Sequence, residues 1–126
     1  MALITTQGTT TETDSVTIAD NASLSSAIDL GGRGLTAIII PSTWVTATVV
    51  TFQVSIDGAT YYNVYYNASG TLTEYSVPVA ASRYIPMDQT KFFGVRFLKI
   101  RSGTSGSPTN QTEDAGVVIP LVVFAV

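Results

Sequence analysis

The chain of 126 residues contains no cysteine and no histidine. Without Cys no disulfide can form, and the redox compartment is left open. Without either residue the usual zinc and copper ligands, the thiol and imidazole nucleophile–base pairs and the commonest general base are missing. Carboxylates, hydroxyls and six Lys or Arg side chains are what remains for chemistry. An enzyme therefore ranks last among the function classes, and no cofactor or metal is expected. Charge is scarce as well, at 12 % of residues, about half the share of an ordinary soluble domain. A net charge of −3 and a pI near 4.5 speak against nucleic-acid binding through a basic field. No apolar run reaches the ~18 residues of a membrane span, so no membrane is expected as a partner. The opening MALITTQGTTTETDS has no basic stretch ahead of an apolar core, so it does not read as a secretory signal.

Thr, Ser, Asn and Gly take the place of the missing charge. A surface of that kind packs against other protein with little charge to desolvate. The length suits one domain, burying roughly two-thirds of the unfolded surface.

The stretch VVTFQVSIDGATYYNVYY, residues 49–66, organises the rest. Phe52, Val54 and Ile56 alternate with Thr51, Gln53 and Ser55, the period of two that marks a strand. Asp57-Gly58 tolerates positive φ, and Tyr61 to Tyr66 returns as a second strand, giving a central hairpin. Upstream, Val16-Thr17-Ile18 begins the first regular strand, Asp20-Asn21 turns, and Leu24 to Leu30 forms the second strand. Gly31-Gly32-Arg33-Gly34 matches neither a Walker pattern nor a dinucleotide fingerprint and leads into a strand, so it reads as a turn and not a phosphate loop. Leu35 to Ile40 is a nearly continuous apolar run ended by Pro41, as in a strand buried on both faces.

Downstream, Leu72 to Val77 and Ala80 to Ile85 are short strands, and residues 87–93 (MDQTKFF) supply the one helical turn. In VRFLKIRS, residues 95–102, Arg96, Leu98 and Ile100 oppose Val95, Phe97, Lys99 and Arg101. Gly103–Gly116 is a long polar loop, which in a compact domain is functional or mobile. About eight to nine short strands with regular turn signals predict an all-β fold, an antiparallel β-sandwich or jelly roll. Residues 1–15 read as an N-terminal arm and 16–126 as the sandwich. The last strand, Val117 to Val126, is apolar and carries Pro120, which predicts an edge or a bulge. An exposed apolar edge is a template for aggregation, so Val117, Val118, Ile119, Leu121 and Val123 are expected to meet a partner subunit. Leu3 and Ile4 are expected to dock on a neighbour in the same way.

Several constellations invite sharper readings. Lys91, Arg96, Lys99 and Arg101 form a basic run that suits an anion or an acidic partner surface, though a solvated strand face explains it as simply. Tyr61 and Tyr65, with Trp44, suggest stacking faces for a sugar; Trp44 alone reads better as a lid on the core. The carboxylates Asp57, Glu74 and Asp88 show no spacing that favours a glycosidase pair. Three Asn-x-Ser/Thr triplets, at Asn21, Asn67 and Asn110, sit where turns are already expected.

Three groups of residues carry a resemblance. They are Ile28-Asp29-Leu30-Gly31-Gly32 with Leu35-Thr36-Ala37-Ile38 and the Pro41–Trp44 segment; Phe52-Gln53-Val54-Ser55 with Asp57-Gly58 and Ala81-Ser82-Arg83-Tyr84-Ile85-Pro86; and the RFLKIRSGTSGSPTNQ tract. Over residues 24–112 they resemble a family of small structural proteins of tailed bacteriophages. The resemblance implies a virion component made in the host cytoplasm, a decoration (cement) protein on the head surface. It would be a small homo-oligomer, with three-fold symmetry favoured by the proposed role, bound to the major capsid protein. A weaker likeness, of FQVSIDGATYYNV and VRFLKIR to the galactose-binding jelly roll, implies the alternative of a carbohydrate-binding module facing a host surface glycan. That likeness is of fold alone.

Overall fold

A computed structural model describes residues 10–68 and 71–125. Among these residues eleven strands form: β1 Thr10–Ile18, β2 Ile28–Asp29, β3 Gly34–Ile40, β4 Val49–Ser55, β5 Tyr62–Asn63, β6 Tyr65–Ala68, β7 Thr71–Glu74, β8 Val77–Pro78, β9 Arg83–Pro86, β10 Phe97–Ser102 and β11 Val117–Ala125. One antiparallel sheet has the order β1-β11-β3-β9. A second has β2-β10-β4-β5, with β8 also on β4, and β6-β7 is a separate hairpin. The fold is all-β and sandwich-like, as alternation predicted. The helical turn expected near MDQTKFF is a single 3₁₀ turn, Gln89–Lys91, capped by the Asp88 carboxylate.

The core lies between the two main sheets. Val16, Ile18, Leu35, Ile38, Ile119 and Leu121 come from the first, and Val50, Phe52, Leu98 and Ile100 from the second. Strict alternation would not place Leu35, Ile38 and Ile40 on one face. The β3–β11 register does it: Val122 pairs with Ala37 but Val123 with Leu35, so Thr36 is the extra residue of a bulge. Its hydroxyl donates to the Val122 carbonyl at 2.9 Å, and its own carbonyl accepts from Met87 N–H. An aromatic cluster closes one side, with Phe52 edge-on to Phe92 at 5.1 Å and Tyr75 edge-on to Tyr66 at 5.1 Å.

The last strand departs most from expectation. β11 is not an edge: it runs between β1, which it pairs from Thr10–Ala125 to Ile18–Val117, and β3. Val117, Ile119, Leu121 and Val123 are fully buried in the chain's own core, and only Val118 is exposed. The row assigned to a partner subunit is thus consumed within the domain. Pro120 fits because it stands one residue ahead of the first β3 pair, opposite Ser15, whose N–H turns to the Asp14 carboxylate. The covering strand was hidden in the polar tract read as an arm. β1 starts at Thr10, before Val16, so the boundary at residue 15 moves, while Leu3 and Ile4 lie outside the described residues.

Smaller corrections have local causes. The strand expected over Leu24–Leu30 shrinks to β2, because the Ser25 hydroxyl takes the Ile100 N–H that a strand carbonyl would accept. The central hairpin pairs only at Gln53–Asn63 and Val54–Tyr62. Beyond it Ile56, which alternation puts on the side of Phe52 and Val54, is 80 % exposed, since Asp57 gathers the N–H groups of Ala59 and Thr60 and turns the chain off the sheet.

Candidate interaction surface

The basic run does not form a strip. Arg101 is buried on the outer side of β10, where it donates to Thr51 Oγ1 at 3.2 Å, Asn63 Oδ1 at 2.9 Å and Glu74 Oε2 at 3.2 Å. The second Glu74 oxygen accepts the Ser105 N–H at 3.0 Å, and Thr51 donates to the Gly103 carbonyl. This network ties β4, β5, β7 and β10 to the start of the 103–116 loop and leaves no face for a ligand.

Lys99 places its Nζ 4.3 Å from the Tyr61 ring centroid, and Arg96 bonds the Asp29 carboxylate, reinforced by the Gly31 N–H. The Arg96 hydrogen bond leads in holding Asp29 below the usual carboxylate range. Lys91 pairs with Asp88 at 3.8 Å, Arg83 donates to the carbonyls of Ala81 and Ser82, and Arg33 bonds Glu12 and Asp14. Each of the six cations already has an internal partner. Among the described residues no three acidic side chains cluster as a metal cage requires, and no buried side-chain nitrogen or oxygen lacks a partner.

The sugar platform is not assembled either. Trp44 is only 6 % exposed, and its Nε1 donates to the Ala47 carbonyl at 2.9 Å, so it is the core lid. Tyr61 is half-buried with Lys99 over its ring, and Tyr65 is 39 % exposed. Trp44, being buried, offers no stacking face beside them.

What the surface offers instead is large apolar side chains. Ile56, Leu72 and Phe93 are 80 %, 77 % and 70 % exposed, with Tyr62, Tyr84 and Val118 also on the outside. Phe93 belongs to a concave feature, a groove of about 530 Å³ between the Gly32–Gly34 turn, Gln89, the segment from Phe92 to Arg96, and Phe124 of β11. Phe92 is buried while Phe93 points outward. Arg33 stands at one wall, fixed by Glu12 and Asp14 and by the Leu30 and Asp29 carbonyls. Arg96 also lines the groove, fixed by the Asp29 carboxylate. The walls are therefore positioned but electrically satisfied, and the lining is mainly apolar.

Sequence reasoning assigned no role to Phe93 or Phe124. The signal was the Phe92-Phe93 pair beside Gly94, since adjacent aromatics on a turn cannot both enter one core. Gln111 was missed as well. It is fully buried and clamps the polar loop, receiving Val45 N–H and donating to the Val45 carbonyl and Ser102 Oγ. No protein-family model, curated protein or solved structure matches the chain, so the functional reading rests on its own residues.

Proposed function

We propose that this protein is a non-enzymatic structural component of a tailed-bacteriophage virion, a decoration (cement) protein that binds the assembled head through protein–protein contacts. The observation that carries the reading is the division of the surface. All six cations are engaged internally, whereas Ile56, Leu72 and Phe93 stand in water. Large exposed apolar groups on a surface poor in charge favour contact with another protein surface over recognition of a charged ligand. The resemblance of residues 24–112 to small phage structural proteins supplies the virion context.

Self-association, with a trimer favoured by the local three-fold positions of a shell, belongs to the same proposal. Its contacts must use surfaces other than the inward row of β11, which is already buried. The test is co-sedimentation of the purified chain with head shells that lack it, beside the same titration against unassembled capsid subunits. Saturable binding to assembled shells, weakened by Leu72→Ser or Ile56→Ser, is the expected result. Failure to bind any shell would overturn the proposal. Light scattering during size exclusion tests the oligomer separately: a 13.3 kDa species at micromolar concentration would remove the trimer.

A further inference from the structure

We infer that the outer edge of β1 takes up an extended segment of a partner protein as one more strand of the β1-β11-β3-β9 sheet. β1 pairs β11 in unbroken register from Thr10–Ala125 to Ile18–Val117, so alternate residues aim their backbone groups at β11 and the others aim them away. Thr17 shows which set faces away: its N–H donates to Ser26 Oγ at 3.2 Å, and its carbonyl accepts the Ser26 N–H at 2.9 Å. Thr11, Thr13 and Ser15 share its parity. The Ser15 N–H turns to the Asp14 carboxylate. Among the described residues β1 ends the sheet, so the N–H and carbonyl of Thr11 and Thr13 and the carbonyl of Ser15 face no further strand.

A row of donors and acceptors at this spacing is matched in full by another extended backbone. The side chains define the partner further. Glu12 and Asp14 lie on the side of β1 that carries Val16 and Ile18 into the core, and their two carboxylates share the single guanidinium of Arg33, which leaves one negative charge in excess. Thr11 and Thr13, on the opposite side, are exposed and uncharged. The fitting segment therefore alternates, with Lys or Arg beside Glu12 and Asp14 and neutral residues beside the threonines. A second copy of this chain does not fit, because antiparallel β1 edges centred on this stretch set acid against acid. That the segment belongs to a shell protein rests on the proposed function; the chemistry of the edge does not.

Amide hydrogen exchange read by NMR on the full chain tests the edge directly. In the dilute free chain the Thr11 and Thr13 amides should exchange fast beside protected Glu12 and Asp14. A blocked eight-residue peptide alternating Thr with Lys should slow both threonine amides roughly tenfold at about ten times its Kd, and the same peptide with Glu in place of Lys should not. Thr11 and Thr13 amides already protected in the free chain, or a Thr-Lys peptide without effect, would overturn the assignment. Head shells that lack the protein supply the second probe. Thr13→Pro removes one outward N–H that β11 does not use, so the unfolding midpoint should hold while shell binding weakens roughly tenfold or more. A Thr13→Pro chain that binds shells as tightly as the native one would overturn the edge and leave the virion reading standing. Peptide uptake without any binding to shells would do the reverse.

Discussion

Gln111 shows how one side chain can order a loop. Its amide replaces a strand for Val45, meeting both the N–H and the carbonyl, from inside the polar tract 103–116. Gln111→Ala would orphan those groups at about 1–3 kcal/mol each, and chemical denaturation should show a loss of that order. Gly103 is constrained by space as well as by conformation. Its φ is +86°, and a Cβ there would lie 2.6 Å from the Ser107 carbonyl oxygen. Gly103→Ala should cost roughly 1–2 kcal/mol for the left-handed backbone, with more for the clash, again read from the unfolding midpoint. Neither role was legible beforehand. A Gln in a Ser/Thr/Gly-rich tract carries no signal of burial, because its partners lie far along the chain.

At the scale of elements, β11 and the Arg101–Glu74 pair decide most. Leu121 is fully buried between the sheets, so Leu121→Ala should destabilise by about 2–5 kcal/mol. The oligomeric state seen by light scattering should stay unchanged; a subunit interface would show the opposite pattern. Arg101 and Glu74 are mostly shielded, with side chains 8 % and 14 % exposed. Removing Arg101 alone strands the carboxylate, so Arg101→Met should cost about 3–5 kcal/mol. The double variant Arg101→Met with Glu74→Leu should recover much of that loss, and a double-mutant cycle measures the difference. Periodicity correctly placed Leu98 and Ile100 on one face and Arg101 on the other. It could not show that the β6–β7 hairpin would cover that second face.

For the whole molecule, the absence of histidine leaves carboxylates to govern stability from neutral to acid pH. Asp29, Asp57 and Asp88 are all held below their ordinary range. The leading causes are the Arg96 hydrogen bond, the Thr60 N–H and the Thr90 side chain, respectively. A carboxyl lowered in the folded state stabilises the fold above its unfolded pKa, about 3.9 for Asp. That contribution is lost as pH falls through the folded value. The melting temperature should thus be nearly flat between about pH 5 and 8 and decline below about pH 4. A step near pH 6–7 would contradict this assignment.

Several features followed from the chain by itself. The period of two in residues 49–56 and 95–102 and the apolar run before Pro41 dictate strands, because an extended backbone sends alternate side chains to opposite sides. The same period determines which residues seek the core. It does not determine which strand lies beside which. Val117 to Val123 looks the same whether a second subunit or Thr10–Ile18 covers it, and Thr10–Ser15 looks like an arm until Arg33 is seen bridging Glu12 and Asp14. Those pairings join residues far apart in sequence, and only three-dimensional packing, with its demand that each strand edge and each buried charge be matched, could decide them.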